Sequence, residues 1–96
     1  MKTTDSFESI TEMKESILWG GELEFRISLD EEYGIFKLQK DDIVLCVADS
    51  CKDNIKLEGG IEELHFSNVD KLLEYKLHDI PLKQILLDAE MTWRSL

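Results

Sequence analysis

The chain has 96 residues, and its 21 acidic and 11 basic side chains give a formal net charge of −10 at pH 7. Apolar residues make up 43% of it and charged residues 33%, which is the balance of a globular domain and not of a disordered chain. The negative charge argues against direct binding to nucleic acid or to anionic membranes, and it favours a protein partner with a basic surface. We expect one domain over residues 1–96.

The sequence also predicts a cytoplasmic protein. Its apolar runs all fall short of the ~20 residues that a helix needs to cross a bilayer. The first residues, MKTTDSFESI, carry acids and have no hydrophobic signal core. In the cytoplasm the two cysteines, Cys46 and Cys51, should be reduced thiols.

The first predicted element is a helix. Asp5 followed by Glu8 fits a capping box, and Gly20-Gly21 can adopt the left-handed conformation that ends a helix. Trp19, just before this break, is expected to fold back onto the core. The apolar side chains of the helix recur at helical spacing at Phe7, Ile10, Met13, Ile17 and Leu18.

Three strands should follow. Alternation over residues 22–29 predicts a strand whose inner face is apolar, and residues 30–34 are typical of a hairpin loop. Residues 35–39 predict a second strand with Phe36 and Leu38 inward, and residues 40–42 a tight turn. Residues 43–48 are apolar on both faces, as in a central strand. The inner face of the first strand comprises Leu23, Phe25, Ile27 and Leu29.

The last part of the chain predicts two short strands and two helices. Residues 55–58 and 63–66 alternate like strands, the second being a short edge strand. Ser67 should cap a helix, and Pro81 should begin another whose apolar stripe ends at Trp93. The fold class is therefore α+β: an N-terminal helix, an antiparallel meander sheet of three to five strands, and two C-terminal helices.

Four segments carry a resemblance to a group of known proteins: GELEF at 21–25, LHF at 64–66, LLEYKL at 72–77 and LKQI at 82–85. The chain resembles small uncharacterised α+β proteins of Gram-positive bacteria, their phages and mobile elements. The shared motifs are packing motifs, so the resemblance implies a fold and carries over no activity and no functional residue.

Cys46 and Cys51 leave several chemical possibilities open. Their C-x₄-C spacing is at the edge of what zinc sites use, and His65 and His78 could complete four ligands. A disulfide is also possible by spacing, but reduced thiols are expected in the cytoplasm. Because Cys46 lies in an apolar run, it is more typical of a small packed side chain.

Other catalytic and metal patterns fit less well. A catalytic cysteine would need a neighbouring base and a lowered pKa, and Cys51 lacks the glycines of a nucleophile elbow. A calcium loop starting at Asp49 would place Asn54 at the glycine position and Gly60 at the final glutamate position. The paired glycines at 20–21 and 59–60 lack the remainder of a phosphate-binding loop. We expect no catalytic residue, no metal and no cofactor.

The candidate site is a surface. Tyr33, the two acidic loops and the polar face of the first strand should form an acidic patch around Arg26. Near the end of the sequence, Trp93 and Arg94 are residue types enriched at binding hot spots, although the helical spacing favours core packing for Trp93. The residues proposed to bind a partner are Glu22, Glu24, Asp30, Glu31, Glu32, Tyr33, Asp41 and Asp42.

The function that these features favour is that of a small acidic protein-binding module. It would act as an inhibitor or immunity-type protein, of the anti-defence, anti-CRISPR or antitoxin kind, by covering a basic surface of a nucleic-acid-processing partner. One alternative is a structural or regulatory protein that acts as a homo-oligomer, and a homodimer is possible. A thiol- or zinc-dependent enzyme is a further alternative.

Overall fold

The computed structural model describes residues 7–51, 53 and 55–95, and it is a mixed α+β structure, as the sequence predicts. Its three helices and seven strands alternate in an order that differs in part from the expected one. In chain order they are α1 (Ile10–Leu18), β1 (Leu23–Ser28), β2 (Glu31–Gln39), β3 (Asp42–Val47), β4 (Glu63–Phe66), α2 (Val69–Glu74), β5 (Lys76–Leu77), β6 (Ile80–Pro81), α3 (Leu82–Asp88) and β7 (Glu90–Arg94).

The main sheet has five antiparallel strands in the order β4-β3-β2-β1-β7. Strands β1 to β4 form the predicted meander, with β4 at the edge as expected, while β7 pairs with the other side of β1. The strand predicted at 55–58 is wrong, because this segment runs into a 3₁₀ turn at Glu58–Gly60. Leu57 of this segment is nevertheless buried in the core.

The helices cover one face of this sheet. Met13, Ile17, Leu72 and Leu86 from the three helices belong to the same buried cluster as Phe25 and other sheet residues. Val44 is also fully buried, but it lies outside that cluster, on the opposite face. The register of the five strands places the following side chains on this opposite face, which we call the open sheet face: Glu24, Arg26, Glu32, Phe36, Asp42, Val44, Cys46, Glu63, His65, Glu90 and Trp93.

The first helix differs from the prediction at both ends. Ser9 is its N-cap and accepts a hydrogen bond from the Glu12 backbone N–H at 3.1 Å, while the predicted cap, Asp5, lies outside the described residues. Gly20 has a φ of +87°, which confirms the predicted break. Trp19 is 82% exposed, so the expectation that it packs on the core is wrong.

The first two strands also depart from the expected hairpin. The turn is formed by Leu29 and Asp30, and Glu31–Gln39 is one long strand. In it Tyr33 and Ile35 point into the core, so the prediction that Phe36 and Leu38 point inward is wrong by one position. A one-residue shift of this kind exchanges the two faces of a strand.

The C-terminal part holds the largest difference. Asn68 and not Ser67 caps α2, by accepting a hydrogen bond from the Lys71 backbone N–H. The predicted last helix is correct over Leu82–Asp88, but the chain then becomes strand β7. Trp93 therefore lies on the open sheet face, 47% exposed, and the predicted core packing is wrong.

A small hairpin, β5–β6, joins the last two helices. Its two-residue turn consists of His78 and Asp79, with φ values of +53° and +65°. Positive φ at both central residues is typical of the type I′ turn, which matches the twist of a hairpin. Across the described residues, every helix is too short or too polar to span a membrane.

Candidate functional site

The structure separates the two predicted acidic loops. Asp30 lies in the β1–β2 turn and Asp41 in the β2–β3 turn, which are at opposite ends of the nine-residue strand β2. Such a strand is roughly 26 Å long. The expectation of one acidic patch that includes both loops is therefore wrong, and each loop has its own surroundings.

Tyr33 does not belong to the candidate surface. Its side chain is only 3% exposed and stacks on Phe25 in the core. The phenol O–H donates to a Glu31 carboxylate oxygen at 2.6 Å, and the same oxygen lies 2.6 Å from His78 Nε2. Burial, and then the hydrogen bond to Glu31, raise the pKa of Tyr33 above its usual value. This group of three links β2 to the β5–β6 hairpin, so Glu31 has a structural role.

Arg26, expected at the centre of the patch, is neutralised by its neighbours in the sheet. Its guanidinium lies 3.6 Å from a Glu32 oxygen on β2 and 3.4 Å from a Glu90 oxygen on β7. Both carboxylates come from strands that flank β1, and the register places them beside Arg26. Because one guanidinium lies between two carboxylates, this end of the open sheet face keeps a net negative charge.

The remaining predicted acids lie on or next to the open sheet face. One row of this face runs across all five strands, from Glu63 through Cys46, Gly34 and Glu24 to Trp93. At about 4.8 Å per strand, it is roughly 19 Å wide. Glu22 is exposed just before β1, where its backbone N–H donates to Ser95 Oγ.

The next row of the open sheet face is apolar at its centre. It consists of Phe36, Val44 and His65 on three adjacent strands. Val44 is fully buried, so the side chains around it already form a small packed cluster on this face. The open sheet face thus combines apolar side chains at its centre with the exposed carboxylates of Glu24 and Glu63.

His65 bridges two acids at one side of this face. Its Nδ1 lies 2.6 Å from an Asp42 oxygen on β3, and its Nε2 lies 2.7 Å from a Glu63 oxygen on β4. The hydrogen bond to Asp42, followed by that to Glu63, raises the pKa of His65 above its usual value. This contact ties the edge strand to its neighbour, whereas the sequence had suggested His65 as a zinc ligand.

The two cysteines are not brought together. The Cys46 thiol lies on the open sheet face and donates to the Gly34 carbonyl at 3.6 Å, whereas Cys51 is buried in the core. Burial raises the pKa of the Cys46 thiol, which keeps it protonated and weakly nucleophilic. Within the described ranges, no cluster of three or more histidine, cysteine or acidic residues is arranged to hold a metal ion.

Sequence analysis missed one concave surface. An open groove of about 880 Å³ lies between the end of β1 and helix α3. We call it the β1–α3 groove. Its lining includes the apolar residues Ile27, Leu29, Ile80, Ile85 and Leu87 and the acidic residues Glu8, Asp88 and Glu90. The alternation in β1 had marked Ile27 and Leu29 as inward, but it contained no sign that the helices would leave them uncovered.

The fold, the open sheet face and the β1–α3 groove can be compared with those of other proteins. Comparisons of the chain with models of protein families, with curated proteins and with solved structures find no match. The resemblance carried by residues 21–25, 64–66, 72–77 and 82–85 therefore stays a prediction.

Proposed function

We propose that the protein is a non-catalytic binding module whose open sheet face docks onto a basic surface of a partner protein. One observation carries the proposal: the face of the sheet that the helices leave uncovered bears two accessible aromatic side chains, Trp93 (47% exposed) and the partly buried Phe36, with exposed carboxylates around them. The solvent face of an antiparallel sheet is ordinarily polar. An apolar centre with a charged rim is instead the usual arrangement of a protein interface.

The side chains of this face suit the two stages of association. Carboxylates such as Glu22, Glu24 and Glu63 would speed the encounter with a basic partner, an effect that depends on ionic strength. Trp93 and Phe36 would then supply the desolvated contacts, because aromatic side chains dominate binding hot spots. Both kinds of contact are within one surface about five strands wide.

The titratable groups of the face support binding rather than catalysis. Burial raises the pKa of the Cys46 thiol, which opposes formation of a nucleophilic thiolate at neutral pH. Both ring nitrogens of His65 are engaged with carboxylates, so the imidazole would first have to break a hydrogen bond to act as a base.

We further propose that the partner's basic surface is one that binds nucleic acid. Channels that hold nucleic acid are lined with lysine and arginine, and carboxylates can take the place of phosphates there. Covering such a channel would make the protein an inhibitor, of the immunity, antitoxin or anti-defence kind. This sharper form rests on the net charge of −10 and on the placement of Glu24 and Glu63.

The experiment compares three forms of the protein as bait in a lysate of the native host. One form is the wild type, the second carries Glu22→Gln, Glu24→Gln and Glu63→Gln, and the third is a matched control with three acids removed outside the open sheet face. The control substitutions are Glu15→Gln, Asp70→Asn and Asp79→Asn, all at exposed positions.

We expect a basic protein that the wild type and the control retain and the sheet-face variant loses. With that partner purified, binding should weaken at least tenfold between 50 and 300 mM NaCl, because added salt screens charges beyond about 10 Å. Addition of the wild type should also displace nucleic acid from the partner. Affinity that is indifferent to salt, or equal loss in the control, would rule out the proposed docking mode.

A second candidate function is assembly with a copy of itself through the outer strand β7. In the described sheet β7 pairs with β1 on one side only, so its other edge can accept a strand. Two features oppose this candidate: the register shift at Thr92, which bends the edge, and the net charge of −10 on each copy. Sedimentation at increasing protein concentration distinguishes the two candidates, because only the second predicts a dimer.

A further inference from the structure

We propose that the β1–α3 groove is a second binding site, which adjoins the open sheet face at Arg26 and Glu90, and that it takes an extended segment of a partner protein with alternating apolar and basic side chains. The proposal stands apart from the docking function described above. It rests on three properties of the groove, namely its apolar lining, the strand edge beside it and the sign of its charge.

The lining of the groove is rich in exposed apolar side chains. Leu29 is 89% exposed, and Ile27 and Ile80 are 38% and 45% exposed. These side chains come from separate parts of the chain, the end of β1 and the β5–β6 hairpin, and Ile85 of α3 adjoins them. Contiguous exposed apolar side chains in a concavity of this size are typical of a site for another molecule.

At the β1–α3 groove, strand β1 extends past the end of its neighbour β7. The last pair between β1 and β7 is Arg26 with Glu90, so Ile27 and Ser28 lie beyond the end of β7. On that side, no described strand runs beside these two residues. Ser28 is paired with Glu31 on the β2 side, so an extended segment would be added on the β7 side of this end of β1, as in binding by strand addition.

The negative charge of the groove favours a positively charged occupant. Glu8, Asp88 and Glu90 line it, against the single cation of Arg26, which also contacts Glu32. An extended chain presents alternate side chains to opposite sides. Apolar residues of the occupant would then face Ile27 and Leu29, and lysines or arginines between them would face the acidic rim.

The test uses a fluorescently labelled seven-residue peptide in which lysine alternates with leucine and phenylalanine. Two matched peptides serve as controls, one with glutamate in place of lysine and one with serine in place of the apolar residues. Fluorescence anisotropy measures the affinity of each peptide for the full chain. We expect the basic apolar peptide to bind at least tenfold more tightly than either control.

Variants then locate the site. Leu29→Ser combined with Ile80→Ser should weaken binding of the basic apolar peptide at least tenfold, and both positions are exposed enough to leave the fold intact. Leu38→Ser, at the far end of β2 and 56% exposed, is the matched control and should have no effect. Glu24→Gln with Glu63→Gln, on the open sheet face, should also leave this affinity unchanged, which separates this site from the proposed docking function.

Backbone NMR spectra test the binding mode. Addition of the peptide should shift the amide signals of Ile27 and Ser28 and slow their exchange with solvent, because strand addition engages the backbone there. The proposal is overturned by equal binding of the glutamate or serine peptide, by an equal effect of Leu38→Ser or the sheet-face pair, or by no binding at 1 mM peptide. Tight binding with unchanged Ile27 and Ser28 amides would overturn the extended mode.

Discussion

His65 shows how one side chain can join two strands by charge. Its imidazole is held between Asp42 and Glu63, and both contacts favour the protonated ring. The pKa of His65 in the folded protein therefore lies above its usual value of 6.5, while in the unfolded chain it returns to that value. Proton binding to His65 and folding of the chain are consequently linked.

The replacement His65→Gln should remove a pH-dependent part of the stability. A raised pKa in the folded state means that the stabilisation is fully present below pH 6.5, while the two carboxylates are ionised, and is lost as the pH rises through the folded pKa. Urea denaturation from pH 5.5 to 8.5 should show a free energy of unfolding that falls above pH 6.5 in the wild type and falls less in the variant.

The other histidine provides the control for this measurement. His78→Gln leaves the contacts of His65 with Asp42 and Glu63 in place. It should therefore preserve the fall in stability that those contacts cause. An unchanged pH dependence in His65→Gln would mean that the imidazole between the two acids contributes nothing.

Gly34 illustrates why single residues misled the sequence analysis. A glycine close behind a run of acidic residues is typical of a loop, and residues 30–34 were accordingly predicted to be one. In the structure Gly34 lies in β2, where an added Cβ would be 3.3 Å from Cys46 Sγ. The glycine reflects a close approach between two strands, and no pattern local to residues 30–34 contains that information.

At the scale of elements, apolar spacing predicted the side chains of the core better than it predicted their secondary structure. The stripe of Leu82, Ile85, Leu86 and Ala89 is a real helix face, and Trp93 continues the spacing by coincidence. The helix ends where the Ala89 N–H bonds to the Ile85 carbonyl. Five residues of strand, Glu90–Arg94, are too few for alternation to outweigh a helical stripe, and their partner β1 is distant in sequence.

The two possible structures of residues 90–94 predict opposite effects of two substitutions. In strand β7 Met91 is buried and Trp93 is half exposed. Met91→Ala should therefore lower the free energy of unfolding by about 2–4 kcal/mol, through lost burial and a cavity. Trp93→Ser should lower it by less than about 1 kcal/mol.

Urea denaturation at pH 7 measures both values, and equal m-values in the two variants would confirm that the same surface is exposed on unfolding. A larger loss for Trp93→Ser than for Met91→Ala would contradict the strand and favour a helix that continues to Trp93. The tryptophan change also serves the proposed function, because it should weaken partner binding while the fold persists.

Strand β1 marks the limit of what alternation can predict. The pattern at Leu23, Phe25, Ile27 and Leu29 predicts one inner face, but only Leu23 and Phe25 are buried, because the register of β1 shifts between Arg26 and Ser28 and the strand ends at Ser28. Whether a residue on the inner face is covered depends on where the helices end. That depends on packing between distant segments, so the β1–α3 groove could not be predicted from the strand itself.

For the molecule as a whole, charge is the dominant surface property. Ion pairs such as Lys14–Asp70 and Lys83–Glu74 are exposed and contribute little each. Each pair joins one positive and one negative side chain, so the pairs leave the net charge of −10 unchanged, and like charges oppose the compact state. The open sheet face and the β1–α3 groove both carry part of this excess.

Thermal stability should accordingly increase with NaCl. Raising the concentration from 0.05 to 0.5 M screens the repulsion among the carboxylates, and a gain of about 1 kcal/mol would raise the Tm by roughly 4–8 °C in a domain of this size. The control is the variant with Glu22→Gln, Glu24→Gln and Glu63→Gln, which should show a smaller increase. A Tm that falls with added NaCl would mean that the exposed ion pairs outweigh the repulsion.

The pairing of β7 with β1 has a consequence for the order in which the chain folds. Arg26 and Glu90 are 64 residues apart, whereas β1 to β3 are joined by two-residue turns. Hairpins close within microseconds, and contacts between distant segments form more slowly because more chain must be ordered first. The meander should therefore assemble first and acquire its fifth strand last. During that interval both β1 and the core beneath Met91 are unprotected, and this is the stage at which the chain is most exposed to aggregation.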